Sequence, residues 1–170
     1  LGPDHPTTAS CLYNTALSQQ KIGTYSEAEV NYRKSLLLRE KALGMKHYDT
    51  LSNLNNLAWC LEDQGKLSEA EALQRDCLKL KETALGPDHP STLITLSSLA
   101  RCLFTQDRYN EAYKFYMLCT ERMKRCYGTE HPTTISSHSD VGRCLFKQGK
   151  LTAAESVHRR CMQLREAALG

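Results

Sequence analysis

An internal repeat of 42 residues is the dominant structural signal in this sequence. A segment of the form Leu/Tyr-Gly-x-x-His-x-x-Thr begins at residues 1, 43, 85 and 127, and Leu169-Gly170 matches its first two positions again. Four copies hold one register without an insertion, so the chain divides into the repeats 1–42, 43–84, 85–126 and 127–168. Such a period is typical of proteins that stack one supersecondary unit.

The start of a first helix is marked in each repeat. Proline suits the first helical position, because that position needs no amide hydrogen. It follows a histidine in three repeats, which predicts these histidines as N-caps: His5, His89 and His131 before Pro6, Pro90 and Pro132. Tyr48 takes the proline's place in the second repeat and predicts a less sharply marked start. Apolar residues then recur at helical spacing, as at Leu96, Leu99 and Leu103, which predicts one buried face.

Residues that accept a positive φ mark the ends of both helices. The first helices are predicted to stop at Gly23, Gly65, Asp107 and Gly149, and the second helices at Gly44, Gly86, Gly128 and Gly170. The second helices are predicted to start near the N-caps Ser26, Ser68, Asn110 and Thr152 and to pack through Ala28, Ala70, Ala112 and Ala154. Period-two alternation is absent, so no strand is predicted.

One helical hairpin of this size cannot bury both faces of its apolar stripe, so neighbouring repeats are expected to stack. The third repeat places large and small residues in a pattern that resembles the tetratricopeptide repeat, with Ala100 and Ala112 at the close approach of the helices and Tyr116 beside them. The resemblance implies an all-α fold, a right-handed α-solenoid of helix-turn-helix units. We expect residues 1–170 to form a single array, and, because the chain begins at Leu1, to be a fragment of a longer protein.

The length of the repeat resembles one branch of that family. Leu-Gly-x-x-His-Pro between repeats, Asn55-Asn56-Leu57-Ala58 on a first helix and Gln-Gly-Lys-Leu at the turns (64–67 and 148–151) resemble kinesin light chain repeats. The same unit is similar to the arrays of nephrocystin-like and nucleotide-binding-domain-linked repeat proteins. The resemblance covers the whole chain and implies a scaffold that binds protein partners.

The resemblance further implies a concave groove lined by the first helices. The partner-binding candidates at its positions are Tyr13, Asn14, Asn55, Asn56, Trp59, Ser97, Ser98, Arg101, Phe104, Ser139, Asp140, Arg143, Phe146 and Lys147. The remaining groove positions hold Ser10, Leu17, Gln20, Lys21, Ser52, Glu62, Asp63, Ile94, Thr105 and Ser136. In relatives an asparagine pair contacts the peptide backbone; the third and fourth repeats replace it with Ser97-Ser98 and Ser139-Asp140.

Aromatic, amide and hydroxyl groups off the apolar stripe suit an extended peptide, whose backbone pairs with the amides while its side chains lie on the rings. The second repeat adds Glu62 and Asp63 to this set, whereas Arg101, Arg143 and Lys147 make the later half cationic. The sequence therefore predicts an acidic, or acidic and aromatic, peptide segment as partner. The alternative interpretation is a solvated face of ordinary helix charges.

Eight cysteines raise the question of metal binding or disulfides. Six form two columns, Cys60, Cys102 and Cys144 on first helices and Cys77, Cys119 and Cys161 on second helices. Equivalent positions in stacked repeats lie roughly 10 Å apart, beyond the Cα separation of about 7 Å that a disulfide allows. No Cys-x-x-Cys occurs, so buried free thiols in a reducing, cytoplasmic compartment are predicted. The histidine column at the loops is interpreted as caps, without metal.

Several classes of function find no support in the sequence. Phosphate loops, nucleophile elbows and His-Glu-x-x-His are absent, so neither an enzyme nor a cofactor is expected. The net charge of +3 is too small to indicate nucleic acid, and no apolar run approaches the roughly 20 residues of a membrane helix. A structural module that self-associates end to end through its terminal helices stays open as the alternative to peptide binding.

Overall fold

The computed structural model describes residues 6–169, and the side chains of residues 7–167. Two compact units, Leu1–Leu85 and Gly86–Gly170, each contain two of the predicted repeats. Unit 1 contains α1 (Pro6–Lys21), α2 (Tyr25–Leu43), α3 (Tyr48–Asp63) and α4 (Leu67–Ala84). Unit 2 contains α5 (Pro90–Thr105), α6 (Tyr109–Tyr127), α7 (Pro132–Lys147) and α8 (Leu151–Leu169). Residues 6–169 contain helices and no strand, which confirms the all-α prediction.

Consecutive helices pack against each other within each unit. In unit 1, α2 packs against α1 and α3, and α3 packs against α4. In unit 2, the same chain of contacts joins α5 to α6, α6 to α7 and α7 to α8. Each unit is therefore two helical hairpins in series, as the repeat predicts.

Histidine side chains cap the first helices. The Nδ1 atoms of His47, His89 and His131 accept hydrogen bonds from the backbone N–H two residues later, at 3.2, 3.1 and 3.3 Å. An accepting Nδ1 means a neutral ring with its proton on Nε2. The cap prediction is confirmed at these three positions, while His5 lies outside the described residues. The start at Tyr48 is as well capped as the others, because the imidazole and not the proline satisfies the helix end.

Three-residue turns join the helices within each repeat. Gly23, Gly65 and Gly149 have φ of 87°, 75° and 76°, and Asp107 has 59°, as predicted for the stops of the first helices. At one turn, the Gly65 N–H donates to Glu62 O at 2.8 Å and the Lys66 N–H to Leu61 O at 2.9 Å. These two bonds form a Schellman motif, which satisfies the last carbonyls of α3.

The predicted starts of the second helices are wrong by about two residues. Ser26, Ser68, Asn110 and Thr152 lie inside the first turns of α2, α4, α6 and α8 and not before them. The residue after the glycine donates the last hydrogen bond of the first helix and is also the N-cap residue of the second helix. The predicted cap residues, two positions later, therefore lie within the second helix. The residues at the cap positions, Thr24, Lys66 and Arg108, form no side-chain cap.

The second helices end at glycine as predicted. Gly44, Gly86 and Gly128 follow α2, α4 and α6 closely, with φ of 85°, 96° and 89°. Gly170 lies outside the described residues.

A buried column of small residues holds the two helices of each repeat together. Ala28, Ala70, Ala112 and Ala154 are all buried, as predicted. Seven residues further along each second helix, a hydroxyl or thiol donates to a carbonyl of the first helix at 2.7 to 3.7 Å: Ser35 to Ala9, Cys77 to Leu51, Cys119 to Leu93 and Cys161 to Ile135. The cysteine column is thus part of the packing between paired helices.

The six cysteines of the two columns are buried and free, and Cys11 and Cys126 are exposed. Burial raises the pKa of the Cys119 and Cys144 thiols to about 11. These thiols are therefore protonated near neutral pH and act as small apolar groups. The prediction of buried free thiols is confirmed for these columns.

Candidate protein-binding surfaces

In unit 1, side chains on the surface of the first helices contact one another and side chains of the second helices. The Tyr13 ring stacks under the Arg39 guanidinium, 4.4 Å from the ring centre, and meets the Tyr32 ring edge-on at 5.8 Å. The Asn56 amide donates to the Tyr13 hydroxyl. Burial raises the Tyr13 pKa, while Arg39 and the bond from Asn56 oppose the shift. Two of the predicted binding residues, Tyr13 and Asn56, are thus joined to each other across α1 and α3.

A second set of hydrogen bonds joins side chains near the carboxyl-terminal ends of α1 and α3. The Gln20 amide donates to the Asp63 carboxylate at 2.7 Å, and the Tyr32 hydroxyl donates to Gln20 Oε1 at 2.9 Å. The Gln74 amide donates to the Glu62 carboxylate. In both repeats of unit 1, a second-helix side chain therefore bonds a polar first-helix side chain.

The remaining predicted residues of unit 1 differ in exposure. Asn14 is exposed and Trp59 is half-buried. Asn55 is only 4% exposed, which corrects the expectation that it lies off the buried face. Its burial follows from packing, because α3 contacts both α2 and α4 and so buries a wider arc than a single stripe.

Unit 2 carries a pocket lined by aromatic and cationic side chains. Phe104, Arg143, Phe146, Lys147 and His158 surround a cavity of about 240 Å³, which we call the aromatic pocket. The Arg143 guanidinium lies over the Phe104 ring, 4.8 Å from its centre. Phe146 is 59% exposed, although it is a large apolar side chain. Four predicted residues therefore meet in one site.

A second cavity of about 260 Å³ lies beside it, lined by side chains that include Ile94, Ser97, Met123, Ser136, Ser137 and Asp140. We call it the serine pocket. Asp140 joins the two pockets, because its carboxylate accepts a hydrogen bond from Arg143 at 2.8 Å. Burial raises the Asp140 pKa, against the opposing effect of Arg143.

The other predicted residues of unit 2 surround these pockets. Arg101 is exposed and Ser139 is half-buried. Ser98 lies in the wall of the serine pocket but is only 6% exposed, which corrects the expectation that it is a surface residue. Its hydroxyl donates to the carbonyl of Ile94 at 2.9 Å, so the short side chain folds back onto its own helix.

Sequence reasoning missed two residues of the aromatic site. His158 of α8 is not among the predicted groove positions, yet it lines the pocket. Tyr109 packs edge-on against Phe104, with ring centres 5.1 Å apart, and lies 5.9 Å from the Lys147 ammonium. A signal for His158 existed in Gly142, which replaces the alanine of the other repeats. A Cβ atom there would lie 2.7 Å from the His158 ring.

Metal binding and membrane insertion find no structural support in the part of the chain that is described. Residues 6–169 hold no group of three or more His, Cys, Asp or Glu side chains arranged to bind a metal ion. Within the same range, no helix combines the length and apolar character needed to cross a bilayer.

Comparison with known proteins places the chain in a family. Tetratricopeptide repeat models match residues 8–49, 50–91 and 91–167. Nearly identical TPR-like repeats from a Podosopora anserina protein described as a kinesin light chain superpose with a TM-score of 0.89 at 20% identity, covering 99% of this chain and 80% of that one. BtubC (BKLC) from P. vanneervenii superposes with a TM-score of 0.83 at 18% identity, covering 95% and 64%. A comparison with curated proteins finds no match.

These matches agree with the resemblance drawn from the 42-residue repeat. The family models cover both units, and the structural matches extend over nearly the whole chain. At about 20% identity, the structural matches show a shared fold. They confirm the predicted solenoid class and the predicted likeness to kinesin light chain-like repeats. The chain therefore belongs to the tetratricopeptide repeat family, whose all-α solenoids are scaffolds for protein interaction.

Proposed function

We propose that this scaffold binds an extended, acidic peptide segment that carries an aromatic side chain, and that the first-helix surface of unit 2 provides the anchor site. One observation carries the proposal. Phe146 is 59% exposed in the wall of a cavity that it shares with two cations, Arg143 and Lys147. An exposed aromatic side chain at the rim of a pocket marks an interaction site more often than a scattered apolar residue does.

The chemistry of the aromatic pocket matches such a ligand. A ligand ring that packs on the exposed Phe146 removes apolar surface from water, at about 25 cal/mol per Å². Arg143 and Lys147 attract carboxylates beside that ring, which speeds association and selects against basic partners. The described residues that line this pocket include two cations, of which Arg143 already pairs with Asp140 of the neighbouring cavity.

Polar groups for the peptide backbone lie next to the pocket. Ser97 and Ser136 line the neighbouring cavity, and the half-buried Ser139 lies on the same helix as Phe146. Hydroxyl groups both donate and accept hydrogen bonds, so they suit the alternating N–H and C=O groups of an extended segment. In unit 1, by contrast, Asn56 is already bonded to Tyr13.

A peptide selection tests the proposal. A random library of peptides about twelve residues long, selected on the whole chain, should yield sequences with an aromatic residue flanked by Asp or Glu. The double variant Arg101→Glu/Arg143→Glu should lose these peptides, while Arg159→Glu should retain them. Arg159 is an exposed residue of α8 that pairs with Glu155. Thermal melting monitors folding, and Lys147→Glu replaces the double variant if that one unfolds.

The proposal fails if the selected peptides are basic, or if peptides bind the double variant and the wild type equally. It also fails if no acidic aromatic peptide binds at about 1 mM, which corresponds to roughly −4 kcal/mol.

Self-association is the second candidate, and α8 supplies the observation that favours it. Leu151 and Met162 of that helix are 59% and 55% exposed. Stacking of one chain on another would remove these side chains from water. Sedimentation over a range of concentrations tests this: a rising mass that falls again in Met162→Glu supports self-association, and a constant monomer mass contradicts it.

We also infer a reducing compartment such as the cytoplasm. The support is the set of six buried free thiols, which are typical of proteins that never meet an oxidising environment. Imaging of the tagged protein in its own cells tests this inference, and a secreted product would contradict it.

A further inference from the structure

The first helices of the second and fourth repeats each bury one stripe of residues against the second helix that precedes them. α3 packs against α2 in unit 1, and α7 packs against α6 in unit 2. The stripe has four positions, spaced four, three and four residues apart, so it follows one face of the helix. Its first three positions are buried and its last is half-buried in both repeats. We call it the junction stripe; it consists of Asn53, Leu57, Cys60 and Gln64 in the second repeat, and Ser137, Val141, Cys144 and Gln148 in the fourth.

The junction stripe of α1, the first described helix, is exposed. It consists of Cys11, Thr15, Ser18 and Ile22. The hydroxyl groups of Thr15 and Ser18 donate to carbonyls of α1 itself, at 2.9 and 3.1 Å. Because these hydroxyls are already bonded, covering the stripe with a second helix leaves neither of them unsatisfied. The stripe of α1 is therefore compatible with the contact that α3 and α7 make.

The last position of the junction stripe lies against the start of the preceding second helix. In unit 1, the Gln64 amide donates to the carbonyl of Tyr25 at 3.4 Å. In unit 2, the Gln148 amide donates to the carbonyl of Tyr109 at 3.2 Å. These two bonds show that the glutamine position and the tyrosine position are adjacent wherever one repeat follows another within a unit.

Apolar residues take both of these positions at the first and last described helices. Ile22 stands at the glutamine position after α1, and Leu151 stands at the tyrosine position of α8. Their side chains are 75% and 59% exposed. Ile22 cannot donate a hydrogen bond to a backbone carbonyl, but Ile22 and Leu151 would remove each other's apolar surface from water if they were adjacent.

The first position of the junction stripe shows a matching exchange. Ser137 of α7 and Thr120 of α6 are buried, and their hydroxyl oxygens lie 2.8 Å apart. Cys11 of α1 and Met162 of α8 stand at the equivalent positions. Cys11 is exposed and Met162 is 55% exposed. A polar pair has thus become a pair of soft, apolar sulfur side chains, as a polar contact became an apolar pair at the other end of the stripe.

The charged residue on this face of α8 has a partner on its own helix. In unit 1, Glu29 accepts a hydrogen bond from Lys66 of the following repeat at 2.7 Å. Glu155 stands at the position of Glu29 and pairs with Arg159 of α8. Thr24, and not a cation, stands at the position of Lys66 in the first repeat. A helix that covers this face of α8 therefore does not need to supply a cation.

We propose that this chain stacks head to tail on a second copy of itself, with α1 of one copy lying on α8 of the other as α3 lies on α2 and α7 on α6. The inference goes beyond peptide binding and rests on the second candidate of the proposed function, self-association. It adds the partner surface, which is α1, and the register, in which Ile22 meets Leu151 and Cys11 meets Met162. Such an interface is heterologous, so each copy still offers a free end and the assembly extends beyond a dimer.

Two variants that each block one end test the direction of stacking. Ile22→Asp places a charge on the α1 surface, and Met162→Glu places one on the α8 surface. The mass of the wild type in sedimentation should at least about double as its concentration rises to about 1 mM, while each variant alone stays monomeric. An equimolar mixture of the two variants should form a dimer and nothing larger, because one free α1 meets one free α8. Leu37→Asp, at a 68% exposed apolar residue of α2, is the matched control and should associate like the wild type.

The outcomes of the mixing experiment separate this inference from the proposed function. Dimers that persist in either variant alone indicate a symmetric contact, which overturns head-to-tail stacking and leaves self-association standing. A wild type that stays monomeric overturns both. Neither result bears on peptide binding by unit 2. Thermal melting monitors folding, and Ile22→Lys or Leu151→Glu replaces a variant that melts early.

A disulfide trap tests which side chains meet. Because Cys11 and Met162 stand at the positions of Ser137 and Thr120, Met162→Cys should form a disulfide with Cys11 of another copy when oxidised glutathione accepts the two electrons. Electrophoresis without reductant should then show a ladder of linked copies. Adding Cys126→Ser, which removes the other exposed cysteine, should preserve the ladder, and adding Cys11→Ser should abolish it. Linked copies that persist in the presence of Cys11→Ser would overturn the register.

Discussion

Units 1 and 2 have the same repeat length and the same order of helices, but they differ in the residue type at one first-helix position. In unit 1 this position holds Gln20 and Glu62, and each accepts a hydrogen bond from its own second helix. In unit 2 the equivalent residues are Phe104 and Phe146, which form no such bond and line a pocket. The substitution turns a surface with satisfied polar groups into one with exposed apolar area.

The difference shows how one fold separates stability from recognition. The buried columns are nearly the same in both units, for instance Ala28 and Ala112, so packing does not distinguish them. What distinguishes them is one first-helix column, which holds the hydrogen-bonded Gln20 and Glu62 in unit 1 and the pocket-lining Phe104 and Phe146 in unit 2. In a repeat array, the column with the changed residue type is therefore the place to look for a binding site.

The largest expected effect comes from giving unit 2 the polar residue of unit 1. Phe146→Gln should weaken binding of an acidic aromatic peptide between tenfold and a hundredfold, because a central aromatic anchor contributes about 2 kcal/mol or more. The free energy of unfolding should change by less than about 0.5 kcal/mol, since the side chain is 59% exposed. Isothermal titration calorimetry measures the peptide affinity, and urea denaturation measures the free energy of unfolding.

Leu37→Gln is the control for this substitution, because Leu37 is similarly exposed on α2, outside the first-helix surface. Equal losses of affinity in the two variants would mean that Phe146 has no special part in binding.

The next effect concerns the ion cluster around Glu29 in unit 1. Burial works to raise the Glu29 pKa, but hydrogen bonds from Lys66, Gln64 and Arg33 outweigh it and lower the pKa to about 2. Glu29→Gln should reduce the free energy of unfolding at pH 7 by on the order of 2 kcal/mol. Glu155→Gln, at the equivalent position of the fourth repeat, should change it by less than about 0.5 kcal/mol. Glu155 is 64% exposed and pairs with Arg159.

The same cluster predicts how stability depends on pH. A carboxylate with a lowered folded pKa stabilises the fold above its unfolded pKa, and this contribution disappears as the pH falls towards the folded value. The wild type should therefore lose the Glu29 contribution between about pH 5 and pH 2. Urea denaturation across this range checks it, and parallel curves for the wild type and Glu29→Gln would contradict it.

A smaller effect is expected where glycine replaces alanine in the core column of the fourth repeat. Alanine normally favours a helix over glycine by about 1 kcal/mol. At Gly142, however, the new Cβ would lie 2.7 Å from the His158 ring, so Gly142→Ala should destabilise by about 1 kcal/mol. Adding His158→Ala should remove the clash and restore the normal preference. A stabilised single variant in thermal melts would show that the ring moves freely.

The smallest effect concerns the turn at Asp107, where unit 1 has glycine. Asp107 has a φ of 59°, which a side chain disfavours, while Gly65 at the equivalent position adopts 75°. Asp107→Gly should raise the free energy of unfolding by about 0.5 kcal/mol, because relief of the backbone outweighs the lost bond from the Tyr109 hydroxyl. Gly65→Ala should lower it by about the same amount. An unchanged melting temperature in both would refute the turn argument.

The sequence predicted the parts of this molecule that depend on local chemistry. Histidine caps and positive-φ stops were correct because each needs only one residue type at one position, as at His89 and Gly65. The predicted starts of the second helices were wrong because backbone hydrogen bonds form the tight turn, and these bonds require no particular side chain. Asn55 was expected at the surface, and its burial depends on packing from two sides.

For the candidate site, the sequence identified types of residue but not which of them meet. Tyr13 and Asn56 were predicted to bind a partner, yet they are hydrogen-bonded to each other. Phe104 and Arg143 were predicted separately and form one pocket, together with His158 from another helix. Such partnerships depend on distances between helices, which a repeat pattern alone does not determine.

An amide chemical-shift titration can identify which unit binds the peptide. The whole chain, labelled with nitrogen-15, is titrated with an acidic peptide that carries one aromatic side chain, taken from the peptide selection. We predict that the largest shifts fall on residues of α5 and α7 around Ile94, Phe104 and Phe146, and that α1 and α3 change little. Shifts concentrated on Tyr13, Asn56 and their neighbours in unit 1 would contradict the account.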